Sequence, residues 1–132
     1  WFRLGVSVAH YLTRRYANTE NLHMAKNFKL SAENIRELAS GYGGCIATDM
    51  ITVVGKKVGY FYRVEPNYNL DSGWCFMSGD ETQEYMDEPT NHEIYDVNTI
   101  ANYDPDIIPF LDAPVGSAFE RNSEGKIAEI VE

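Results

Sequence analysis

Apolar and polar positions alternate with period two through much of this chain and shift to a spacing of three to four in a few short stretches, which predicts strands interleaved with short helices. Over residues 45–64, β-branched and aromatic side chains alternate around Gly55, Lys56 and Lys57. That is the pattern of two strands joined by a tight turn, with Tyr60, Tyr62 and Val64 on one face. Residues 73–77 form an apolar run bounded by loop-forming Pro66, Asn67 and Asn69 on one side and Ser78-Gly79 on the other, as a short buried strand would be. Residues 115–121 and 126–131 flank Asn122-Ser123-Glu124-Gly125 and predict a closing hairpin.

The helical signals lie between these runs. Ser31 is placed as an N-cap, Leu30 and Ile35 stand at hydrophobic-staple spacing, and Gly41 offers a left-handed stop, so a helix is expected over 31–40. Asp80 and Gln83 have capping-box spacing and open a helix over 81–88, with Glu81 in the first turn, where the helix dipole favours an anion. After Asp96, Val97, Ile100 and Ala101 recur at helical spacing. Asp104-Pro105 starts one more turn, which Pro109 stops. Leu4, Val8, Tyr11 and Leu12 predict a short amphipathic helix over 4–16. The sum is one α+β domain over 27–132, a mainly antiparallel sheet of about five strands with packed short helices, preceded by an extension over 1–26. The first residue is Trp1, and Met24 is an alternative start. With 132 residues, 44% of them hydrophobic, one core suffices.

Charge changes the picture most. The net charge is −9, which opposes nonspecific binding to nucleic acid or anionic membrane surfaces. No window approaches 18 consecutive apolar residues, and no leader pattern is visible, so a soluble cytoplasmic protein is expected. Residues 64–120 contain 13 acids and neither lysine nor arginine, whereas residues 1–63 carry a net +5. Mixed charges keep a chain soluble with less self-repulsion, so this segregation points to an acidic face. Tyrosine and tryptophan, the types that anchor protein interfaces, stand within the same stretch. The expected partner-binding residues are Asp71, Trp74, Asp80, Glu81, Glu84, Asp87, Glu88, Tyr95 and Asp96. Trp74 is also a natural core residue, and Asp80 and Asp96 are also natural helix caps.

Other chemistry is thinly represented. Cys45 and Cys75 lack CxxC spacing and sit in apolar surroundings, as two buried thiols would. His10, His23 and His92 show no zinc-binding spacing, and no EF-hand loop is present. Neither metal nor cofactor is expected. Ser72-Gly73 and Ser78-Gly79 are not flanked as a nucleophile elbow. Gly41-Tyr42-Gly43-Gly44 precedes a strand and lacks a phosphate-loop lysine, so it reads as a connector.

Several strings are specific in combination: GYFYRVEP from Gly59, DSGWCFMSGDE at 71–81, EYMDEP at 84–89 and IYDVNTIANYDPDIIPFLDAPVGSAFER at 94–121. Over residues 27–131 the chain resembles a bacterial family, first catalogued as a domain of unknown function, that is grouped with immunity proteins of polymorphic toxin systems. The resemblance implies a small cytoplasmic α+β protein that binds and neutralises a cognate toxin, and it carries over no catalytic residue. Toxins that act on nucleic acids present basic sites, which an acidic protein suits. Two alternatives stand beside this reading. One is a small carboxylate-using enzyme or ligand-binding domain, which requires a pocket of roughly 300 Å³ or more with converging acids. The other is an accessory domain that oligomerises through its basic and acidic portions.

Overall fold

The computed structural model describes residues 26–130, and residues 1–25, with the helix expected over 4–16, lie outside it. Six strands form one mixed sheet: β1 (Gly44–Thr48), β2 (Tyr60–Arg63), β3 (Asp71–Met77), β4 (His92–Asp96), β5 (Ala118–Arg121) and β6 (Ile127–Glu129), in the order β4-β1-β3-β2-β5-β6. Three short helices accompany them: α1 (Asp49–Thr52), α2 (Gln83–Asp87) and α3 (Val97–Tyr103). Tighter 3₁₀ turns run over Ala32–Asn34, Pro89–Asn91 and Pro105–Phe110. The α+β class is as expected, with one strand more than the pattern suggested.

Strand β3 is the spine of the sheet because it is apolar on both faces and buried from Ser72 onward. It runs parallel to β1, with Ile46 opposite Cys75, and antiparallel to β2, with Phe61 opposite Phe76. Trp74 and Phe76 point to one face, where they meet Phe61 and Phe119, with ring centroids 5.1 to 6.1 Å apart. Val97, Ile100 and Ala101 of α3 cover that face together with Ile107 and Leu111. Tyr60, Tyr62, Cys75 and Met77 lie on the opposite face with Met86 of α2, so the expectation that Tyr60 and Tyr62 share a face holds. Cys45 and Cys75 are free thiols on opposite faces of the sheet.

Three expectations are corrected. Residues 45–64 do not make a hairpin, because β3 lies between β1 and β2 and α1 follows β1 directly. A tight turn would have forced β1 and β2 into antiparallel contact, whereas β1 uses that edge for its parallel pairing with β3. The helix over 31–40 is reduced to one 3₁₀ turn at Ala32–Asn34. Its competitor is a set of side-chain bonds from α3. Asn98 Oδ1 accepts from the N–H groups of Leu38 (2.7 Å) and Ala39 (2.8 Å), and Asn102 Oδ1 accepts from Arg36 N–H (2.9 Å). Both asparagine amides also donate to the Arg36 carbonyl. A helix would need those backbone groups for itself, so the segment stays extended and is stapled to α3. Finally, α2 starts at Gln83 with Thr82 as its cap, the Thr82 hydroxyl accepting from Tyr85 N–H at 3.1 Å. The capping box of Asp80 and Gln83 does not form, since Asp80 pairs with Lys56 and Gln83 donates to Asp87.

The aspartate caps at Asp96 and Asp104 and the closing hairpin behave as read, whereas Pro109 does not stop its turn. Asp96 caps α3 by accepting from Asn98 N–H (2.9 Å), and Asp104 caps the Pro105–Phe110 turn by accepting from Asp106 N–H (3.1 Å). Pro109 lies inside that 3₁₀ turn, which ends one residue later. Strands β5 and β6 pair antiparallel around residues 122–125.

Candidate protein-binding surfaces

The topology sorts the expected site residues onto two opposite ends of the sheet and its interior. Strands β1 and β3 both finish where β4 begins, so Thr48, Met77 and His92 mark one end. The chain between Met77 and His92 carries α2 across it. Gly44, Asp71 and Asp96 mark the other end, both aspartates standing in register with Gly44 from either side. Two strand spacings place their Cα atoms roughly 10 Å apart.

At the first end, Asp80, Glu84, Asp87 and Glu88 are exposed. Asp80 forms an ion pair with Lys56 at 2.7 Å, between two solvent-exposed side chains. Asp87 accepts from Gln83, and Glu88 accepts from both the N–H and the hydroxyl of Thr90. Glu81 differs entirely. It is buried, and its carboxylate accepts from Ser78 N–H (2.9 Å), Ser78 Oγ (3.0 Å), Gly79 N–H (2.9 Å) and the hydroxyl of Thr48. A buried carboxylate is tolerated only with such a full set of donors, so Glu81 ties the turn after β3 to the end of β1. Tyr85, next to it, has its hydroxyl pushed up to about 12 by burial and by the charges of Asp49 and Glu81.

A second polar cluster at this end was not singled out from the sequence. Asp104 is buried and accepts from Val58 N–H (3.0 Å) and from Arg121 (2.6 Å). Arg121 also donates to the carbonyls of Val58 and Gly125 and to Asp106. One guanidinium thus clamps the end of β5, the following turn and the approach to β2. A lone arginine closing a 57-residue stretch without lysine or arginine was the available signal.

At the opposite end, the carboxylate of Asp71 accepts from Asn67 N–H (2.8 Å) and Gly73 N–H (2.9 Å), shaping the loop into β3. Gly73 has φ +85°, and a Cβ there would sit 2.0 Å from the Val64 carbonyl oxygen, so the sharp entry to β3 needs glycine. Beside Gly44 opens a groove of about 550 Å³, lined largely by apolar and tyrosine side chains including Leu30, Ile35, Leu70, Ile94 and Tyr103, with Asp96 in its wall. The absent side chain of Gly44 is part of its shape, because a Cβ there would lie 2.8 Å from the Tyr68 hydroxyl. Among the described residues, Asp96 is the one acid lining this groove, short of the several converging acids that a carboxylate enzyme requires. A second hollow of about 680 Å³ contains Lys56, Lys57 and Arg121 with Asp80 and Glu120, and its basic groups form ion pairs with Asp80, Asp104 and Asp106.

Trp74 belongs to neither end, and Tyr95 lies in the core beneath the groove and lines it. Trp74 is completely buried, its indole N–H donating to the Leu111 carbonyl at 3.2 Å, and Tyr95 packs in the same core with its hydroxyl 3.2 Å from that of Thr52. Trp74 and Glu81 are therefore buried groups, and Tyr95 is buried but lends part of its side chain to the wall of the groove beside Gly44. The structure leaves Asp80, Glu84, Asp87 and Glu88 together at one end and Asp71 and Asp96 at the other. Among the described residues, no group of three metal-ligating side chains is assembled, and no helix is long and apolar enough to cross a membrane.

Residues 45–131, from β1 to just past β6, match the family model described as the Immunity protein Imm33 domain. The chain belongs to that family. No curated protein and no solved structure matches it. Membership in the Imm33 family brings an immunity-type function and with it a protein partner. The matched span takes in all six strands but for Gly44 at the start of β1, whereas Leu30, Ile35 and the segment stapled to Asn98 and Asn102 precede it.

Proposed function

We propose that this Imm33-family chain is a non-enzymatic immunity protein that neutralises a basic toxin of a polymorphic toxin system, docking through the acidic rim around α2. The observation that carries this reading is the exposure of Asp80, Glu84, Asp87 and Glu88 within nine residues, with Lys56 paired to Asp80 alone. Among the described residues, Glu84, Asp87 and Glu88 form no ion pair, and carboxylates gathered so at one edge create a potential that attracts a basic partner and speeds its encounter. The rim is also held rigidly. Met86 is buried against the sheet and Glu81 fixes the preceding turn, so little ordering cost attends docking. A toxin that acts on nucleic acid presents such a basic surface at its active site, and an acidic rim seated there would block it. Action in the cytoplasm accompanies this reading, and two free buried thiols suit a reducing compartment.

The test is capture from the source cell at low salt with the tagged full chain as bait, elution by rising salt, and identification by mass spectrometry. A stoichiometric basic protein whose toxicity is relieved by co-expression of this chain is the expected result. Recovery of no protein by a folded chain, or of one without toxicity, overturns the reading. With the toxin in hand, Glu84→Lys combined with Asp87→Lys should slow association at low salt by about tenfold and flatten its salt dependence. Both side chains are exposed, so folding stability should stay within about 0.5 kcal/mol. Unchanged association kinetics would remove α2 from the interface.

A further inference from the structure

The groove at the other end of the sheet has a chemistry that the acidic rim lacks. Leu70 stands at it with 72% of its surface exposed, a large apolar side chain left in water at the edge of an apolar hollow. Ile35, Ile94 and Tyr103 are half-buried around it, and Thr99 adds a small polar surface. Such an arrangement suits an inserted apolar or aromatic anchor, the kind of contact that dominates protein interfaces. The charge at the groove is one-sided. Asp96 lines it and Asp71 stands two strands away across Gly44, while no lysine or arginine is among the lining residues. One oxygen of Asp96 accepts from Asn98 N–H, and the carboxylate makes no other hydrogen bond among the described residues. Its negative charge is thus held in place by the helix it caps and is available to a cation.

We infer that this groove is a docking site for an extended basic segment of a protein partner, taking one apolar or aromatic side chain against Leu70, Ile94 and Tyr103 and a neighbouring lysine or arginine at Asp96. The immunity reading identifies that partner as the toxin, but the groove's preference is testable without it. The experiment is a titration of the isotope-labelled full chain with short synthetic peptides, followed by backbone amide shifts. One peptide has a Trp-Leu core flanked by arginines, a second has the same core flanked by glutamates, and a third has arginines flanking Gly-Ser.

The arginine-flanked Trp-Leu peptide is expected to shift the amides of Leu70, Ile94, Asp96 and Thr99 and to bind at least about tenfold more tightly than either other peptide. Leu70→Ser should weaken that peptide by about tenfold. The Leu70 side chain is 72% exposed, and its carbonyl, which accepts from Gly44 N–H, is unaltered by the substitution, so the fold should be retained. Asp96→Asn keeps the helix cap and removes the charge, and should weaken the same peptide by about threefold to fivefold. Equal binding of the glutamate-flanked peptide, shifts centred on α2, or no shift at the groove overturns the inference. Through-space contacts from residues 1–25 to Leu70 and Ile94 in the free full chain also overturn it, because the occupant is then the chain itself. A groove that fails while toxin capture succeeds leaves the immunity reading intact, and the converse result leaves the groove standing without that toxin.

Discussion

The two ends of the sheet use aspartate and glutamate in opposite ways. Around α2, the buried carboxylate of Glu81 does the structural work, and Glu84, Asp87 and Glu88 are left exposed at the edge. Around Gly44 the division is reversed: Asp71 and Asp96 organise backbone N–H groups near the surface, and the groove beside them is largely apolar. One residue type thus serves as an internal strut, a helix cap or an open charge, depending on how many donors reach it and how much water is excluded. Counting acids along the chain cannot separate these roles. The ends thus differ in what they expose, carboxylates at one and a largely apolar groove at the other.

The largest test of this division is to remove a strut at the acidic end. Arg121→Ala leaves Asp104 buried without its cation and should lower unfolding free energy by about 3–5 kcal/mol in urea titrations. Glu81→Ala strands the Ser78 and Gly79 N–H groups and should cost about 2–4 kcal/mol, with the loss concentrated near α2. Loss of less than about 1 kcal/mol in both variants would show that this end is held by packing alone.

At the groove end, Asn98→Ala removes the acceptor of the Leu38 and Ala39 N–H groups and should cost about 1–2 kcal/mol. Amide exchange at Leu38 and Ala39 should rise steeply while exchange in α2 stays unchanged, since the two ends share no hydrogen-bonded contact through Asn98. Equal acceleration at both ends would mean that the molecule opens as one unit and that the division is only geometric.

The smallest effect belongs to neither end. Burial pushes the Cys75 thiol up to about 12, and burial raises Cys45 well above the ordinary thiol range. The folded chain then keeps protons that unfolded thiols lose above pH of about 8.5, so stability is complete below that value and falls as pH rises through it. Between about pH 8 and 9 the loss should be under about 1 kcal/mol per thiol, read as a falling melting temperature. Cys75→Ala should flatten the fall, and variants at either end should leave it unaltered.

Much of the local structure was legible because its causes are local. The caps at Asp96 and Asp104, the strand from Gly73 to Met77 and the closing hairpin each depend on residues within a few positions of one another. The order of residues alone also established the segregation of 13 acids into residues 64–120, and the combined strings of that region pointed to the immunity family. The failures lie where a distant partner overruled a sound local signal. Residues 31–40 have a capping serine and a staple, yet Asn98 and Asn102, more than 55 positions away, claim their backbone groups. Residues 45–64 have hairpin chemistry, yet β1 gains more by pairing with β3 deep in the sheet. Trp74, Glu81 and Tyr95 are residue types met at interfaces, and the fold buries them, Tyr95 beneath the groove that it lines. The sequence by itself therefore determined the class of fold, the charge map and the caps at Asp96 and Asp104, which follow from periodicity and nearest-neighbour hydrogen bonding. Only the tertiary structure decided strand order, which acids are open, and that an apolar groove forms beside Gly44, because each depends on contacts between segments whose separation along the chain carries no information about their distance in space.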